Sequence, residues 1–180
     1  MTMEDNTLHL TDQFFAADQL IKEGKIAEAM QVLTDIIAED PAFGRAHNHL
    51  GWIYETKYQD YNRAEQHYKA AMQFSPEYMA SYYNYAYLLS TMQRHEELTK
   101  HLDKALKIPG INLSTIYCEY GVMYELQGKL DEAIKAYKES IKYTLDTKEI
   151  ERISGFIERC KQKKNIFSEG GLLKRLFGKS

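Results

Sequence analysis

The chain has 180 residues, 44% of them hydrophobic and 27% charged, with 23 Lys and Arg residues against 26 Asp and Glu residues. This composition is ordinary for a globular protein, and it excludes a collagen-like, a disulfide-framework and a disordered chain. Because no apolar run reaches the roughly 18 residues of a membrane span, we expect no membrane-spanning protein. The net charge is -3, of which residues 161–180 carry +5, so residues 1–160 carry -8; this acidic body repels phosphates, and we expect no binding of nucleic acid.

The first segment, residues 1–9, is predicted to be an N-terminal extension. It lacks the basic and apolar stretches of a secretory signal, so we expect a cytoplasmic protein. In that compartment the two cysteines of the chain, Cys118 and Cys160, are expected to be free thiols.

A repeat of about 34 residues organises positions 10–145. Small residues recur at intervals of 34 or 35: Ala17, Gly51, Ala86 and Gly121. A second series, small then large, follows in each unit: Ala29/Leu33, Ala64/Tyr68, Leu98/Leu102 and Ala133/Tyr137. The pattern divides the segment into four units, at about 10–43, 44–78, 79–113 and 114–145.

Each unit is predicted to contain two antiparallel helices. Apolar residues such as Leu50, Ile53 and Tyr54 recur at spacings of three and four, which places them on one helical face. Gly24 and Gly128 stand between two such segments, where a left-handed residue ends one helix before the next begins. The recurrent small residues, such as Gly51, are expected to let the first helix approach Ala64 or its neighbour in the second helix.

These motifs resemble the tetratricopeptide repeat family. The family pattern is present in the second unit as Leu50-Gly51, Tyr54, Ala64, Tyr68 and Pro76, and in the fourth as Tyr120-Gly121, Tyr124, Gly128, Ala133 and Tyr137. Three features depart from it: Gln13, His47, Tyr82 and Tyr117 replace the usual Trp, Gln93 replaces the turn Gly of the third unit, and the second unit has one extra residue within 57–62. The resemblance implies an all-α fold, an α-solenoid of about four repeats.

Residues 146–164 are predicted to form a C-terminal capping helix, which a stacked repeat array needs at its end. Asp146 is the expected N-cap and Glu149 its capping-box partner. The expected buried stripe is Ile150, Ile153, Phe156, Ile157 and Cys160.

The sequence contains no pattern typical of catalysis or metal binding. A catalytic site needs a nucleophile with a base, or paired carboxylates in a pocket, and a zinc site needs clustered Cys and His ligands. His47 and His49 are two residues apart and diverge on a helix, and neither cysteine belongs to a CxxC motif. We therefore expect a non-enzymatic protein with no cofactor and no metal.

The groove formed by the first helices is the predicted binding surface, since solenoids bind along their concave face. By helical phase the candidate partner-binding residues are Phe14, Arg45, Asn48, His49, Trp52, Tyr83, Asn84 and Tyr87. The aromatic residues would anchor a partner, and Arg45, Asn48, His49 and Asn84 would bond to its backbone or to a carboxylate. The alternative for Trp52, Tyr83 and Tyr87 is burial against the tail or a neighbouring helix. Tyr82 and Tyr85 are expected on the packing side.

Family members that hold the C-terminal carboxylate of chaperones resemble one another in a clamp of Lys, Asn and Arg residues. Phe14, Asp18, Ala80 and Tyr83 stand at positions where that clamp would need basic or amide groups. The sequence therefore favours a groove for a peptide or helix with an apolar anchor.

Residues 165–180 are predicted to form a flexible basic amphipathic tail, because residues 161–180 contain six Lys and Arg residues and one acidic residue. In a helix, Leu172, Leu173, Leu176 and Phe177 would lie opposite Lys174 and Arg175. This tail resembles the terminal tethers of peripheral membrane proteins. Its alternatives are disorder, return onto the apolar groove, or membrane contact.

Together these features favour a protein-interaction module, an adaptor or scaffold that captures a segment of a partner protein. The first alternative is a membrane-surface adaptor held at the inner face of the membrane by the tail. Two others are an enzyme subunit and a scaffold that self-associates head to tail through its end faces.

Overall fold

The computed structural model describes residues 3–167 of the chain. Over this range it contains nine α-helices, one π-helical turn and no strands. The helices are α1 (Met3–Lys22), α2 (Ile26–Glu39), α3 (Gly44–Ile53), α4 (Tyr61–Phe74), α5 (Ala80–Thr91), α6 (His95–Ala105), α7 (Leu113–Leu126), α8 (Leu130–Ile141) and α9 (Thr147–Phe167). The prediction of an all-α fold built from helix pairs is confirmed. The chain divides between Gln93 and Arg94 into two compact units. From here on, the first and second unit are these two parts of the chain, and the four sequence units are called repeats one to four.

The first helix begins at Met3, seven residues before the predicted start of the repeat array. Residues 3–9 of the predicted extension are therefore helical and form the first turns of α1. Its buried face contributes Leu10, Phe14 and Ala17 to the core of the first unit, where they pack with residues of α2 and α3. Burying this apolar face against its neighbours is what holds α1 in place.

All four turns between paired helices contain a residue with left-handed backbone. Gly24 and Gly128 have φ values of 77° and 73°, as the sequence predicted, whereas Gln59 and Gln93 adopt φ values of 54° and 55° at the matching positions. The π-helical turn Tyr54–Tyr58, which precedes Gln59, accommodates the extra residue of repeat two. The insertion therefore leaves the helix pair α3 and α4 intact.

The recurrent glycines allow an aromatic ring to pack directly on the first helix. A Cβ atom built at Gly51 would lie 2.7 Å from the Cδ1 and Cε1 atoms of Tyr68, and one at Gly121 would lie closer still to the same atoms of Tyr137. The sequence prediction named Ala64 or its neighbour as the contact of Gly51, and the structure assigns this contact to Tyr68. Glycine is required at both positions because any side chain would overlap the ring.

The same two tyrosines donate hydrogen bonds to buried carboxylates. The Tyr68 hydroxyl donates to Oε2 of Glu55 over 2.6 Å, and the Tyr137 hydroxyl donates to Oε2 of Glu125 over 2.9 Å. Both tyrosines are completely buried, and both glutamates are less than 10% exposed. A buried hydroxyl requires such a partner, so the Tyr and Glu residues form a structural pair in the second and fourth repeats.

The environments of the two carboxylates differ. Arg159 donates to Glu125 from Nε and a terminal nitrogen over 2.7 Å each, and Lys163 Nζ lies 2.7 Å from the same carboxylate. Chiefly through the Arg159 hydrogen bonds, these cations lower the pKa of Glu125 to about 2. Burial instead raises the pKa of Glu55, whose Oε1 has no hydrogen-bond partner among the described residues.

The predicted capping helix is present and extends to Phe167, three residues beyond its expected end. Asp146 Oδ1 accepts from the backbone N–H groups of Lys148 and Glu149 at 2.9 and 3.4 Å. The expected reciprocal half of the capping box does not form among these residues, because the Glu149 carboxylate bonds to Arg152. The buried stripe is confirmed at Ile153, Ile157 and Cys160, which pack into the core of the second unit; Phe156 packs beside it.

Candidate functional site

The first unit contains a pocket of about 270 Å³ bordered by the first helices of three repeats. It is lined by Ile21 of α1, by Asn48, His49 and Trp52 of α3, by Tyr78 of the following loop, and by Ala80 and Asn84 of α5. Four of these residues, Asn48, His49, Trp52 and Asn84, belong to the predicted binding set. The pocket thus forms where helical phase placed the groove.

Two amides and an imidazole supply the polar groups of this pocket. Asn84 Nδ2 donates to Oδ1 of Asn48 over 3.0 Å, which joins α5 to α3. His49 Nε2 lies 3.4 Å from Oδ1 of Asp18, and burial lowers the pKa of His49 although Asp18 opposes this effect. Asn48 is buried, and both ring nitrogens of His49 already face acceptors of this chain, Nδ1 the Arg45 carbonyl at 3.2 Å and Nε2 the Asp18 carboxylate. The polar group left to bind a partner is chiefly the amide of Asn84.

Trp52 forms the aromatic wall of the pocket. Its side chain is partly buried against the core of the first unit, and Lys57 Nζ lies 5.1 Å from the ring centroid. A tryptophan supported from behind by the core offers a rigid apolar surface to a ligand at low entropic cost.

Phe14 does not line an open groove, which corrects the sequence prediction. Its side chain is buried, with the rings of Phe43 and His49 at centroid distances of 5.8 and 4.7 Å. The guanidinium carbon of Arg45 lies 5.5 Å from the Phe14 ring, so Arg45 covers the same cluster. Phe14 is a core residue because the chain before α3 folds over the exposed side of α1.

Two tyrosines of α5 lie on its packing side, as their helical phase predicted. Tyr82 and Tyr85 are both 7% exposed, whereas Tyr87 is 60% exposed. Tyr83 and Tyr87 do not border the pocket, so their predicted contact with a partner requires a surface that extends beyond it. Tyr78 was missed because it lies in a loop, outside the helical phase; its position two residues after Pro76 was the available signal.

The second unit contains a larger cavity, of about 520 Å³, which the sequence did not predict. It is lined by Thr99, Asp103 and Leu106 of α6, by Tyr117, Tyr120 and Tyr124 of α7, and by Glu132, Lys135, Ala136 and Glu139 of α8. Tyr120 and Tyr124 stack at a centroid distance of 6.3 Å, and the Tyr120 hydroxyl donates to Asp103. Tyr120 and Tyr124 entered the sequence prediction only as part of the family pattern of the fourth repeat, which gave no sign of the cavity that they border.

A pair of histidines joins α3 to α4 in the first unit. His47 Nδ1 and His67 Nδ1 are 2.9 Å apart, and the ring of Tyr54 stacks on His67 with a centroid distance of 5.4 Å. Burial first, and then the charges of His47 and Arg63, lower the pKa of His67 to about 4. The folded state therefore favours the neutral imidazole.

Acidification is expected to destabilise the protein through His67. The folded pKa of about 4 lies below the unfolded value of 6.5, so this contribution to stability is complete above pH 6.5 and is lost as the pH falls towards 4. We expect a loss of up to about 2 kcal/mol, measured as the free energy of unfolding in urea. His67→Ala should flatten the dependence of the unfolding free energy on pH in this range. His9→Ala, a change at an exposed site, should not flatten it. Parallel profiles for wild type and His67→Ala would contradict the assignment.

The thiols are poor nucleophiles in this structure. Cys118 and Cys160 are free and buried, and burial raises the pKa of each to about 11. Within residues 3–167, no group of three or more His, Cys, Asp or Glu side chains is arranged to hold a metal. None of the helices described is long and apolar enough to cross a bilayer. The predicted tail contacts of Leu172, Leu173, Lys174, Arg175, Leu176 and Phe177 lie outside the described residues and stay predictions.

Comparisons with known proteins agree with the repeat pattern. The tetratricopeptide repeat model matches residues 80–111 and 114–147. Among solved structures, yeast Tom70 has a TM-score of 0.73 at 22% identity and covers 95% of this chain, which in turn covers 36% of Tom70. PilF of Pseudomonas aeruginosa has a TM-score of 0.70 at 17% identity, with 95% of this chain and 93% of PilF covered.

A thermophilic tetratricopeptide repeat protein of Thermus thermophilus has a TM-score of 0.65 at 17% identity, with 87% of this chain and 85% of that protein covered. These identities establish similarity of fold. This chain spans about a third of Tom70, at 36% of its length. No curated protein matches the sequence.

Proposed function

Because this chain belongs to the tetratricopeptide repeat family, we propose that it is a non-enzymatic protein-binding scaffold that captures a segment of a partner protein in the groove of its first unit. The observation that carries the proposal is the pocket beside Trp52, which the first helices of three repeats border together. Repeat proteins commonly bind their partners along extended surfaces of this kind.

The pocket suits an apolar side chain in a peptide or helix. Its volume of about 270 Å³ is below the range of typical small-molecule sites and is of the order of one or two large side chains. Trp52, Ile21 and Tyr78 supply apolar walls, while Asn84 offers an amide to the partner backbone.

The lining of this pocket favours an apolar anchor over a terminal carboxylate. None of the side chains that line it is a Lys or Arg, and Ala80 stands where the clamp of the chaperone-binding family members would need a basic residue. Asp18, which faces His49, pairs with Lys22 at 2.7 Å, so these two charges offset each other. A partner segment that enters with an apolar side chain needs no cation from the pocket.

Replacing Trp52 and Tyr87 together with alanine is expected to weaken partner binding by about 2 kcal/mol, which is roughly a 30-fold rise in Kd. Partners would first be captured from lysate with wild-type protein, and the purified partner would then be titrated by calorimetry. Asn84→Ala, which leaves the Trp52 packing intact, should weaken the same interaction on its own.

The matched control is Leu126→Ala, which removes an exposed apolar side chain of α7 that borders neither pocket. Circular dichroism should give the same helical signal for all variants. A partner that binds the folded double variant and Asn84→Ala as tightly as wild type would exclude the groove as its binding site.

A further inference from the structure

The 520 Å³ cavity of the second unit occupies a position that repeat two fills with its own side chains. Gly51, Tyr54 and Tyr68 of repeat two match Gly121, Tyr124 and Tyr137 of repeat four in sequence register. After the one-residue insertion, the same register aligns His67 with Ala136 and Arg63 with Glu132. The two repeats can therefore be compared residue by residue.

In repeat two, other side chains of the same chain lie against the ring of Tyr54. The His67 ring is nearly parallel to Tyr54, with an interplanar angle of 11°, and it bonds to His47. The guanidinium carbon of Arg63 lies 5.3 Å from the centroid of Tyr54. At this distance the cation is attracted by the negative face of the aromatic ring.

In repeat four both of these groups are missing at the aligned positions. Ala136 carries a methyl group where repeat two has an imidazole, so the space beside Tyr124 stays open as part of the cavity. Glu132 carries a carboxylate where repeat two has the guanidinium of Arg63. Repeat four thus keeps its tyrosine, Tyr124, but carries no cation at the position that aligns with Arg63.

The remaining lining has the charge that complements a cation. Three carboxylates border the cavity, those of Asp103, Glu132 and Glu139, against the single ammonium group of Lys135. Asp103 accepts the Tyr120 hydroxyl and Glu139 pairs with Lys142, whereas Glu132 is exposed at the edge. Aromatic faces combined with carboxylates are the usual components of a site for a cationic group.

We propose that this cavity binds the guanidinium group of an arginine side chain presented by a partner protein. A planar guanidinium stacks on a tyrosine face and donates two hydrogen bonds to a carboxylate in one geometry, which a compact ammonium group does not. Inside the chain, Arg63 already makes a cation–π contact with Tyr54, its guanidinium carbon lying 5.3 Å from the ring centroid. The site belongs to the second unit and requires no residue of the groove in the first.

The test uses the peptide acetyl-Gly-Arg-Gly-amide and its citrulline analogue, which has the same shape without the charge. Titration into full-length protein with 3-fluorotyrosine, followed by fluorine NMR, should give saturable shifts of the Tyr117, Tyr120 and Tyr124 resonances with the arginine peptide. The citrulline peptide, and a lysine peptide of the same length, should bind at least about tenfold more weakly.

Two variants place in the cavity the side chains that repeat two carries at the aligned positions. Ala136→His should occupy the space with an imidazole, and Glu132→Arg should place an internal guanidinium near Tyr124; each is expected to abolish the saturable shifts. Glu132→Arg changes an exposed residue, so its fold should be preserved even if Ala136→His is destabilised. Glu158→Arg, the same change at an exposed site that does not border the cavity, should leave binding unchanged.

Three results would overturn the proposal. The first is equal binding of the arginine and citrulline peptides. The second is an equal loss of binding in Glu132→Arg and Glu158→Arg, which would indicate attraction to the overall negative charge. The third is the absence of saturable shifts in the three tyrosines of folded wild-type protein.

Discussion

Replacing Gly121 with alanine is expected to lower the free energy of unfolding by about 3 kcal/mol, a large loss for one methyl group. The new Cβ would overlap the Cδ1 and Cε1 atoms of Tyr137, a ring with no exposed surface. The ring has little freedom to retreat because its hydroxyl is bonded to Glu125. Urea denaturation monitored by circular dichroism measures the loss.

The control for Gly121→Ala is the same substitution at Gly155. Gly155 lies within α9 and is exposed, and a Cβ there would have no neighbour within 4 Å. Alanine is the better helix former, so Gly155→Ala should raise stability by about 0.5–1 kcal/mol. Opposite signs for two identical substitutions would isolate the overlap with Tyr137 from helix propensity. A loss below about 1 kcal/mol for Gly121→Ala would contradict the assigned contact.

A double variant tests whether overlap of the new Cβ with the Tyr137 ring causes the loss of stability. Repeats one and three combine alanine with leucine at the matching positions, as Ala17 with Leu33 and Ala86 with Leu102. Adding Tyr137→Leu to Gly121→Ala recreates this combination. The double variant should be more stable than the sum of the two single losses predicts, with a coupling of at least about 1 kcal/mol.

Removing both cations from Glu125 is expected to cost about 3 to 4 kcal/mol. Glu125 is 8% exposed, and in the variant Arg159→Ala with Lys163→Ala its charge would lose both cations and keep neutral partners, the Tyr137 hydroxyl and the Cys160 thiol. An unpaired buried charge retains the cost of leaving water without the attraction that offset it. The measurement is the free energy of unfolding in urea at pH 7.

Two further variants identify the cause of that loss. Lys161→Ala breaks only the exposed ion pair with Glu158, so it should change stability by less than about 0.5 kcal/mol. Adding Glu125→Gln to the double variant should restore part of the stability, because a neutral amide still accepts the Tyr137 hydroxyl. If Glu125→Gln restores nothing, the loss comes from packing, such as the Arg159 contact with Phe156.

The same ion pairs make the wild-type protein sensitive to acid. The folded pKa of Glu125, about 2, lies below its ordinary value of 4.5. Its contribution to stability is therefore complete above pH 4.5 and is lost as the pH falls towards 2. In Arg159→Ala with Lys163→Ala, the pKa of Glu125 should rise, which carbon-13 NMR of the labelled carboxylate would detect directly.

The helices and their turns could be predicted because they depend on local signals. The spacing of apolar residues gave the paired helices, and Gly24 and Gly128 marked turns whose positive φ only glycine adopts without cost. Residues 3–9 were missed as part of α1 because they have no counterpart in the repeat and so contributed nothing to the periodicity.

The site was only partly predictable because burial depends on neighbours distant in sequence. Helical phase placed Asn48, Trp52 and Asn84 in one groove, and all three line the same pocket. It could not show that Phe43 would cover Phe14, since Phe43 precedes α3 and lies outside the phase of any helix. The second cavity arises from a missing ring at Ala136, and a small residue gives no signal until it is aligned with His67.

The alternation of the helix-pair cores bears on how the gene for this chain could have grown. Alanine with leucine occurs in repeats one and three, whereas glycine with tyrosine occurs in repeats two and four, together with Glu55 and Glu125. Duplication of a pair of hairpins would leave this order. Recombination within a hairpin between unlike repeats would place alanine against tyrosine or glycine against leucine, whereas exchange of whole hairpins keeps each matched core.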